Sequence, residues 1–410
     1  MLTENGRKLA VINISRAQGL CCITYPVVNE PFSAIPRFPG NVPTAPLLRI
    51  SLIKLIQHNT EEEDRLWSAC CDLGFFYLDL RSGLDSPITN IHGNGLLKDA
   101  ESLFKVGEEL FHLPLEEKVK YNLKDKGSYF GYKGYGSEVI NKEGTKDRNE
   151  FYNVSKDDIL GISEQLPVPY LLRPRRTLLE SNIQHSHVLI TVLLDLLNTR
   201  LDLPPSKLGS LHRLKAVSGD QVRFVKAPPQ PPDDQRTALG AHSDFGSITV
   251  LFNRLSGLQV QLLPTVKSER PVGNPNRAVR KETDDGWAYV RPLPRHAIVN
   301  FRDTIVKFTA RILRFNIHRV VSPPRNQASL TRYSLVYFAR PEDNVPLKPL
   351  KASTAVKKQL DRGPRSEEDE EGVLTSKEWI LRRALGRREG GNWETASGTE
   401  SFSMRNPSVA

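Results

Sequence analysis

Cysteine and methionine are scarce in this chain: four and two residues among 410. The cysteines form two adjacent pairs, Cys21–Cys22 and Cys70–Cys71. Sequence neighbours rarely bridge, so the pattern argues against a disulfide framework and for reduced thiols. Long apolar runs are also missing. The most apolar segment, residues 188–197, is interrupted by Asp195 and falls far short of the roughly 20 residues a membrane helix needs. The stretch Leu9 to Ile14, behind Arg7 and Lys8, is too short for a secretory signal. The expectation is a cytoplasmic protein with no membrane partner. With 39% apolar and 25% charged residues, the chain is neither disordered throughout nor collagenous nor a coiled coil.

Acid is outnumbered, 47 residues to 57, for a net charge of +10. The excess is local. Residues 264–341 hold 15 Lys/Arg and 5 Asp/Glu, so the rest of the chain sums to zero. No basic tail or aromatic–basic interleaving is present, so nucleic acid is not an expected partner.

Four regions emerge. Residues 1–44 read as a flexible N-terminal arm, because six prolines between Pro26 and Pro46 block regular structure. Residues 45–213 read as a helical and mixed region. It has a helix over 60–71 opened by Glu61-Glu62-Glu63-Asp64, a short buried strand over 74–78, a helix over 97–110, and the longest helical pattern over 178–201. The sequence Gly127 to Gly136 lacks the lysine–hydroxyl ending of a phosphate loop. It reads as a structured surface loop, with pocket lining as the other reading. Residues 214–347 change texture. Seven short apolar runs, 222–225, 248–252, 258–263, 287–290, 297–301, 315–321 and 333–339, alternate with turns and predict a sandwich or jelly roll. A polar insertion covers 265–286. Residues 348–410 form an acidic linker (366–371) and a tail holding one helix. Its capping box is Thr375-x-x-Glu378, with Trp379, Ile380, Ala384 and Leu385 as its apolar stripe.

The chemistry concentrates in the β-rich region. His242 and Asp244 are two apart, so on an extended chain both point to one side. His318 lies in an alternating strand late in the region and meets His242 only if the fold returns that strand. Two histidines and one carboxylate on one face, with three positions open, form the ligand set of non-heme Fe(II) oxygenases. Zinc more often takes His or Cys in place of Asp. Arg332 and Ser334 share a face of the last strand. An arginine fork with a neighbouring hydroxyl can clamp a carboxylate.

These residues resemble the isopenicillin N synthase-like class of Fe(II)/2-oxoglutarate-dependent dioxygenases, fungal members above all. The motifs are His242-x-Asp244, His318 and Arg332-x-Ser334. Their context is the 227–232 proline run, Gly257-Leu258-Gln259-Val260, Cys71-x-x-Gly74-Phe75-Phe76 and Phe111-x-Leu113-Pro114. The likeness spans about residues 44–345. It implies an α+β, β-rich fold with a double-stranded β-helix (jelly-roll) core flanked by helices. It also implies Fe(II) on His242, Asp244 and His318, and 2-oxoglutarate on Arg332 and Ser334. The expected reaction uses O2 and gives succinate, CO2 and an oxidised C–H bond in a small organic molecule, such as a specialised metabolite. Hydroxylation, desaturation and cyclisation all remain open.

The chain departs from the family pattern at several points. Val225-Lys226-Ala227 replaces an Asn-x-Tyr near the cosubstrate, and Lys226 is a candidate to supply charge there. Phe301-Arg302-Asp303 stands where Gly-Asp is usual. Ala310-Arg311 replaces Asn-Gly at a turn that favours positive φ, and Phe315 replaces a small polar residue. The altered 302–315 segment supports a second reading, a non-catalytic metal- and metabolite-binding protein on the same scaffold. A third reading is an iron oxidase that dispenses with 2-oxoglutarate; Arg332-x-Ser334 speaks against it.

Overall fold

The computed structural model describes residues 35–81, 93–141, 144–230, 237–262, 286–362 and 373–386. Residues 1–34 of the expected arm, Cys21–Cys22, nearly all of the 265–286 insertion, the acidic run 366–371 and the tail beyond 386 lie outside the described residues.

Twelve strands are found among them: β1 (Arg49–Ser51), β2 (Phe75–Asp79), β3 (Gly131–Lys133), β4 (Glu150–Ser155), β5 (Gln221–Ala227), β6 (Leu239–His242), β7 (Ile248–Asn253), β8 (Leu258–Gln261), β9 (Trp287–Tyr289), β10 (His296–Phe301), β11 (His318–Val320) and β12 (Arg332–Ala339). They form two sheets. The larger runs β1-β2-β10-β7-β12-β5-β4-β3 and the smaller β6-β11-β8-β9. This is a jelly-roll core in an α+β fold. All seven expected strand runs are strands. The larger sheet also recruits β1 to β4 from the residues before 213.

Alternation assigns each face. On the outer face of the large sheet, Phe76, Leu78, Val222, Phe224, Val250, Val299, Leu335 and Tyr337 are buried in one cluster with two helices. The Gly93–His112 helix contributes Leu103, Phe104 and Leu110, and the Arg176–Arg200 helix contributes Leu189, Leu193 and Leu197. Each such side chain is worth about 1.5–3 kcal/mol when fully buried. The inner face buries a second cluster, in which Phe75, Tyr77 and Ile298 meet Leu258, Val260 and Ala288 of the small sheet. The same period of two turns Arg223, Val225, Thr249, Asn300, Arg332 and Ser334 inward.

The Thr60–Asp72 helix starts as its acidic turn requires, with Asn59 Oδ1 accepting from the Glu62 amide at 3.0 Å. The Gly127 to Gly136 segment is not a surface loop. It contains β3, and Tyr129, Tyr132 and Lys133 are buried, because pairing with β4 covers them. The last helix, Ser376–Gly386, keeps its capping box: Glu378 N donates to Thr375 Oγ1 (3.3 Å) and Thr375 N to Glu378 Oε2 (2.8 Å).

Backbone strain gathers before β11. Ala310 and Arg311 both adopt positive φ, 48° and 68°, so the turn keeps the left-handed geometry without the residues that favour it. Gly74 (φ 65°) packs beneath the same segment, and a β-carbon on it would collide with the carbonyl oxygen of Arg314. Gly74→Ala is therefore expected to cost about 3 kcal/mol, read as a lower urea midpoint at unchanged m-value. An unchanged midpoint would contradict this packing.

Candidate metal centre

β6 ends on His242 and β11 begins on His318, and the two residues are direct cross-strand partners. Opposed residues of an antiparallel pair project to the same side, and the ring centroids lie 4.3 Å apart. Asp244 follows two residues after the end of β6. Its Oδ1 is 3.6 Å from His242 Nε2, and its Oδ2 is 3.5 Å from His318 Nε2. One ligand atom from each of the three lies within 4.8 Å of the others. Both histidines turn Nδ1 to a backbone carbonyl, Gly240 O at 2.7 Å and Asn316 O at 3.2 Å. Those carbonyls accept, which leaves each Nε2 lone pair for a metal.

Burial and then the adjacent His242 push the His318 imidazole down to about 4. Burial alone would raise the Asp244 carboxyl. The Arg302 guanidinium, His318 and His242 overcome that and hold it well below the ordinary carboxylate range. Ligation requires a carboxylate and neutral imidazoles, and the shifts of Asp244 and His318 both run in that direction.

Arg332 and Ser334 open β12 on the inner face of the larger sheet. Arg332 is 4% exposed, and its Nε donates to Ser256 O at 2.8 Å. No carboxylate among the described residues pairs with it, and burial pushes its guanidinium down to about 10. Ser334 Oγ is buried without a hydrogen-bond partner. An unpaired buried cation beside an unsatisfied hydroxyl is costly unless an anion completes the pair. A ligand carboxylate fits both.

Lys226 does not serve that pair. It lies opposite Tyr333, between residues that point inward, and Tyr333 stacks on Phe111 at the helical side. Its Nζ meets Glu150 Oε1 at 3.1 Å. The expectation that it supplies charge at the cosubstrate is corrected by the register.

Of the centre's other neighbours, Arg302 stood out in the sequence only as a departure from the family pattern, and Asn300 and Arg383 carried no separable signal. Asn300 Nδ2 donates to Asp244 Oδ2 at 3.2 Å, and Arg302 pairs with Oδ1 at 3.0 Å. From the last helix, Arg383 donates to Ser243 O (3.0 Å) and Trp379 Nε1 to Asp303 Oδ2 (3.0 Å), while Asp303 Oδ1 accepts from Gly246 N (3.1 Å). The helix therefore braces the loop that carries two of the three clustered residues. Sequence predicted that it docks, not where.

Comparison with known proteins agrees with this geometry. Residues 45–168 match the family model described as the N-terminal region of non-haem dioxygenases in morphine synthesis, and residues 218–341 match that of the 2OG-Fe(II) oxygenase superfamily. A 2-oxoglutarate-dependent dioxygenase of Aspergillus fumigatus is 31% identical over 319 residues, covering 77% of this chain and 80% of that protein. The chain belongs to the 2OG-Fe(II) oxygenase superfamily. It is a 2-oxoglutarate-dependent dioxygenase, an oxidoreductase that uses Fe(II), 2-oxoglutarate and O2. The dioxygenase gloE of Glarea lozoyensis is 29% identical over 74% of this chain and 81% of its own length. Two solved structures share the oxygenase fold. A full-length Neurospora crassa protein in complex with alpha-KG has a TM-score of 0.61 at 19% identity, covering 82% of this chain and 94% of that one. JOX2 in complex with 2OG, Fe and JA has a TM-score of 0.59 at 20% identity, covering 89% and 94%. Among the described residues no helix is long and apolar enough to cross a membrane.

The depressed His318 value has a measurable consequence in metal-free protein. An unfolded imidazole protonates as pH falls through 6.5, whereas the folded one resists until about 4. The unfolded state thus gains protons first, and stability declines with falling pH across that window. His318→Asn should flatten the decline by up to about 3 kcal/mol between pH 6.5 and 4, measured by urea unfolding in chelator. Parallel pH profiles for the two proteins would contradict the assignment.

Proposed function

We propose that His242, Asp244 and His318 bind the Fe(II), and that Arg332 and Ser334 hold the distal carboxylate of 2-oxoglutarate. The observation that carries this is a pair of complementary deficits, one on each sheet. Three ligand atoms converge from β6, β11 and the loop after β6 of the smaller sheet, and on β12 of the larger sheet a buried guanidinium and hydroxyl lack an anion among the described residues.

The protein's own contribution is placement. The carbonyls of Gly240 and Asn316 fix the imidazole tautomers. Arg332 presents a rigid fork to the distal carboxylate, and Ser334 Oγ donates to the same group. Phe75, edge-on to His318 at 5.4 Å, belongs to the apolar cluster that keeps water from the inner side of the ring. Bound there, iron and 2-oxoglutarate supply oxidative decarboxylation to succinate and CO2, coupled to oxidation of a C–H bond. We assign the substrate to small organic molecules of the specialised-metabolite class, with hydroxylation, desaturation or cyclisation as the outcome. Nucleic acid and membrane are not among its partners in this reading, and its place is the cytoplasm. Residues 214–347 form the catalytic unit, and residues 45–213 its scaffold.

The test uses purified protein with Fe(II), ascorbate and 2-oxoglutarate, with succinate as the readout. His242→Ala should lose the bound metal and all turnover. Arg332→Ala should raise the 2-oxoglutarate KM about 100-fold or more, the scale of breaking a buried charge pair. Full activity in either variant sinks the assignment. Iron and 2-oxoglutarate binding with no succinate across a broad substrate panel would instead favour the non-catalytic reading, for which the Arg302–Asp244 contact is the motive.

A further inference from the structure

Arg302 is the departure from the family pattern that touches the centre directly. It is 1% exposed. Its Nη2 lies 3.0 Å from Asp244 Oδ1, its Nη1 donates to Phe245 O at 2.7 Å, and its guanidinium sits over the Phe338 ring at 4.1 Å. Its backbone N–H donates to Ser247 O at 3.1 Å, so both ends of the residue are anchored to the loop that carries Asp244. These contacts hold the guanidinium against the Asp244 carboxylate.

We propose that Arg302 sets the charge and the geometry of the metal centre, so that it takes its cation weakly and its anionic cosubstrate strongly. Two neutral imidazoles and one carboxylate carry a charge of −1. With a buried guanidinium on the carboxylate, the set is neutral. A divalent cation entering it meets a fixed positive charge one carboxylate away, in a medium that screens poorly. Arg302 takes one lone-pair position of Oδ1, and Asn300 Nδ2 takes one of Oδ2, so a metal meets a carboxylate already hydrogen-bonded on both oxygens. The same fixed charge favours a dianion. Arg302 therefore acts with opposite sign on the two ligands, and this distinguishes it from a residue that only supports the fold. The inference rests on the metal-centre assignment above.

The probes are Co(II) and 2-oxoglutarate, followed by titration calorimetry on the full chain. Co(II) is added to metal-free protein, and 2-oxoglutarate to Co(II)-saturated protein. Arg302→Gln keeps hydrogen-bond donors and loses the charge. It should bind Co(II) about tenfold more tightly or better, and bind 2-oxoglutarate several-fold more weakly. Arg302→Gly should do the same, and it decides the matter if the glutamine variant does not fold. Arg302→Lys should stay near the parent on both. If the glutamine and glycine variants bind Co(II) no more tightly than the parent, the inference is overturned. His242→Ala separates the two levels. Loss of Co(II) binding there upholds the metal centre whatever Arg302 does, and its retention overturns the centre itself.

Discussion

His242 and His318 face each other because β6 and β11 pair antiparallel with these two residues opposed, ahead of a one-residue shift in register between His318 and Val320. A slip of one residue in a strand pair reverses every side chain on it. His318 would then leave the inner face, and Asp244 would have one imidazole beside it instead of two. The rest of the molecule reads as support for that register. β11 is held on its other edge by β8, with His318 opposite Val260. The segment entering β11 passes through two left-handed residues, Ala310 and Arg311, and over Gly74, where no side chain fits.

Much of this was legible in the chain, and the limits have physical causes. The seven apolar runs after 214 were readable because alternation with a buried face leaves a period of two. β1, β3, β4 and β6 were not. Three of them have only three or four residues. β4 is buried throughout yet carries Glu150, Asn153 and Ser155. Partners far along the chain satisfy two of these: Lys118 and Tyr132 donate to Glu150, and Asn153 donates to Tyr129 O. Burial secured by remote hydrogen bonds leaves no local hydrophobic pattern. Lys226 was misjudged for a related reason. Its position beside the cosubstrate motif was visible, but the face it occupies is set by pairing with β12. The shared faces of His242 with Asp244 and of Arg332 with Ser334 were legible as two-residue spacings, whereas His318 joins its partners only through the return of a strand 76 positions on.

The concentrated positive charge also finds its partners in three dimensions. Arg302 answers Asp244, and Arg340 reaches the Gly219 carbonyl with its backbone N–H on Asp220. Arg319 donates to Gln259 and lies over Trp287. Several of these guanidiniums stack on aromatic rings; Phe338 alone lies under Arg223, Arg302 and Arg340. Ring faces help to hold buried cations where carboxylates are few. Arg332 is the exception, with neither ring nor carboxylate against it among the described residues.

The last helix adds a constraint on timing. Arg383 and Trp379 press on the Ser243 carbonyl and on Asp303, and both lie beyond the 218–341 family match. A ribosome that has released all five motif residues has therefore not yet made the wall behind them. During synthesis, the centre acquires its full support only when Arg383 has emerged. A fragment cut at the family boundary would carry every signature residue and lack that wall.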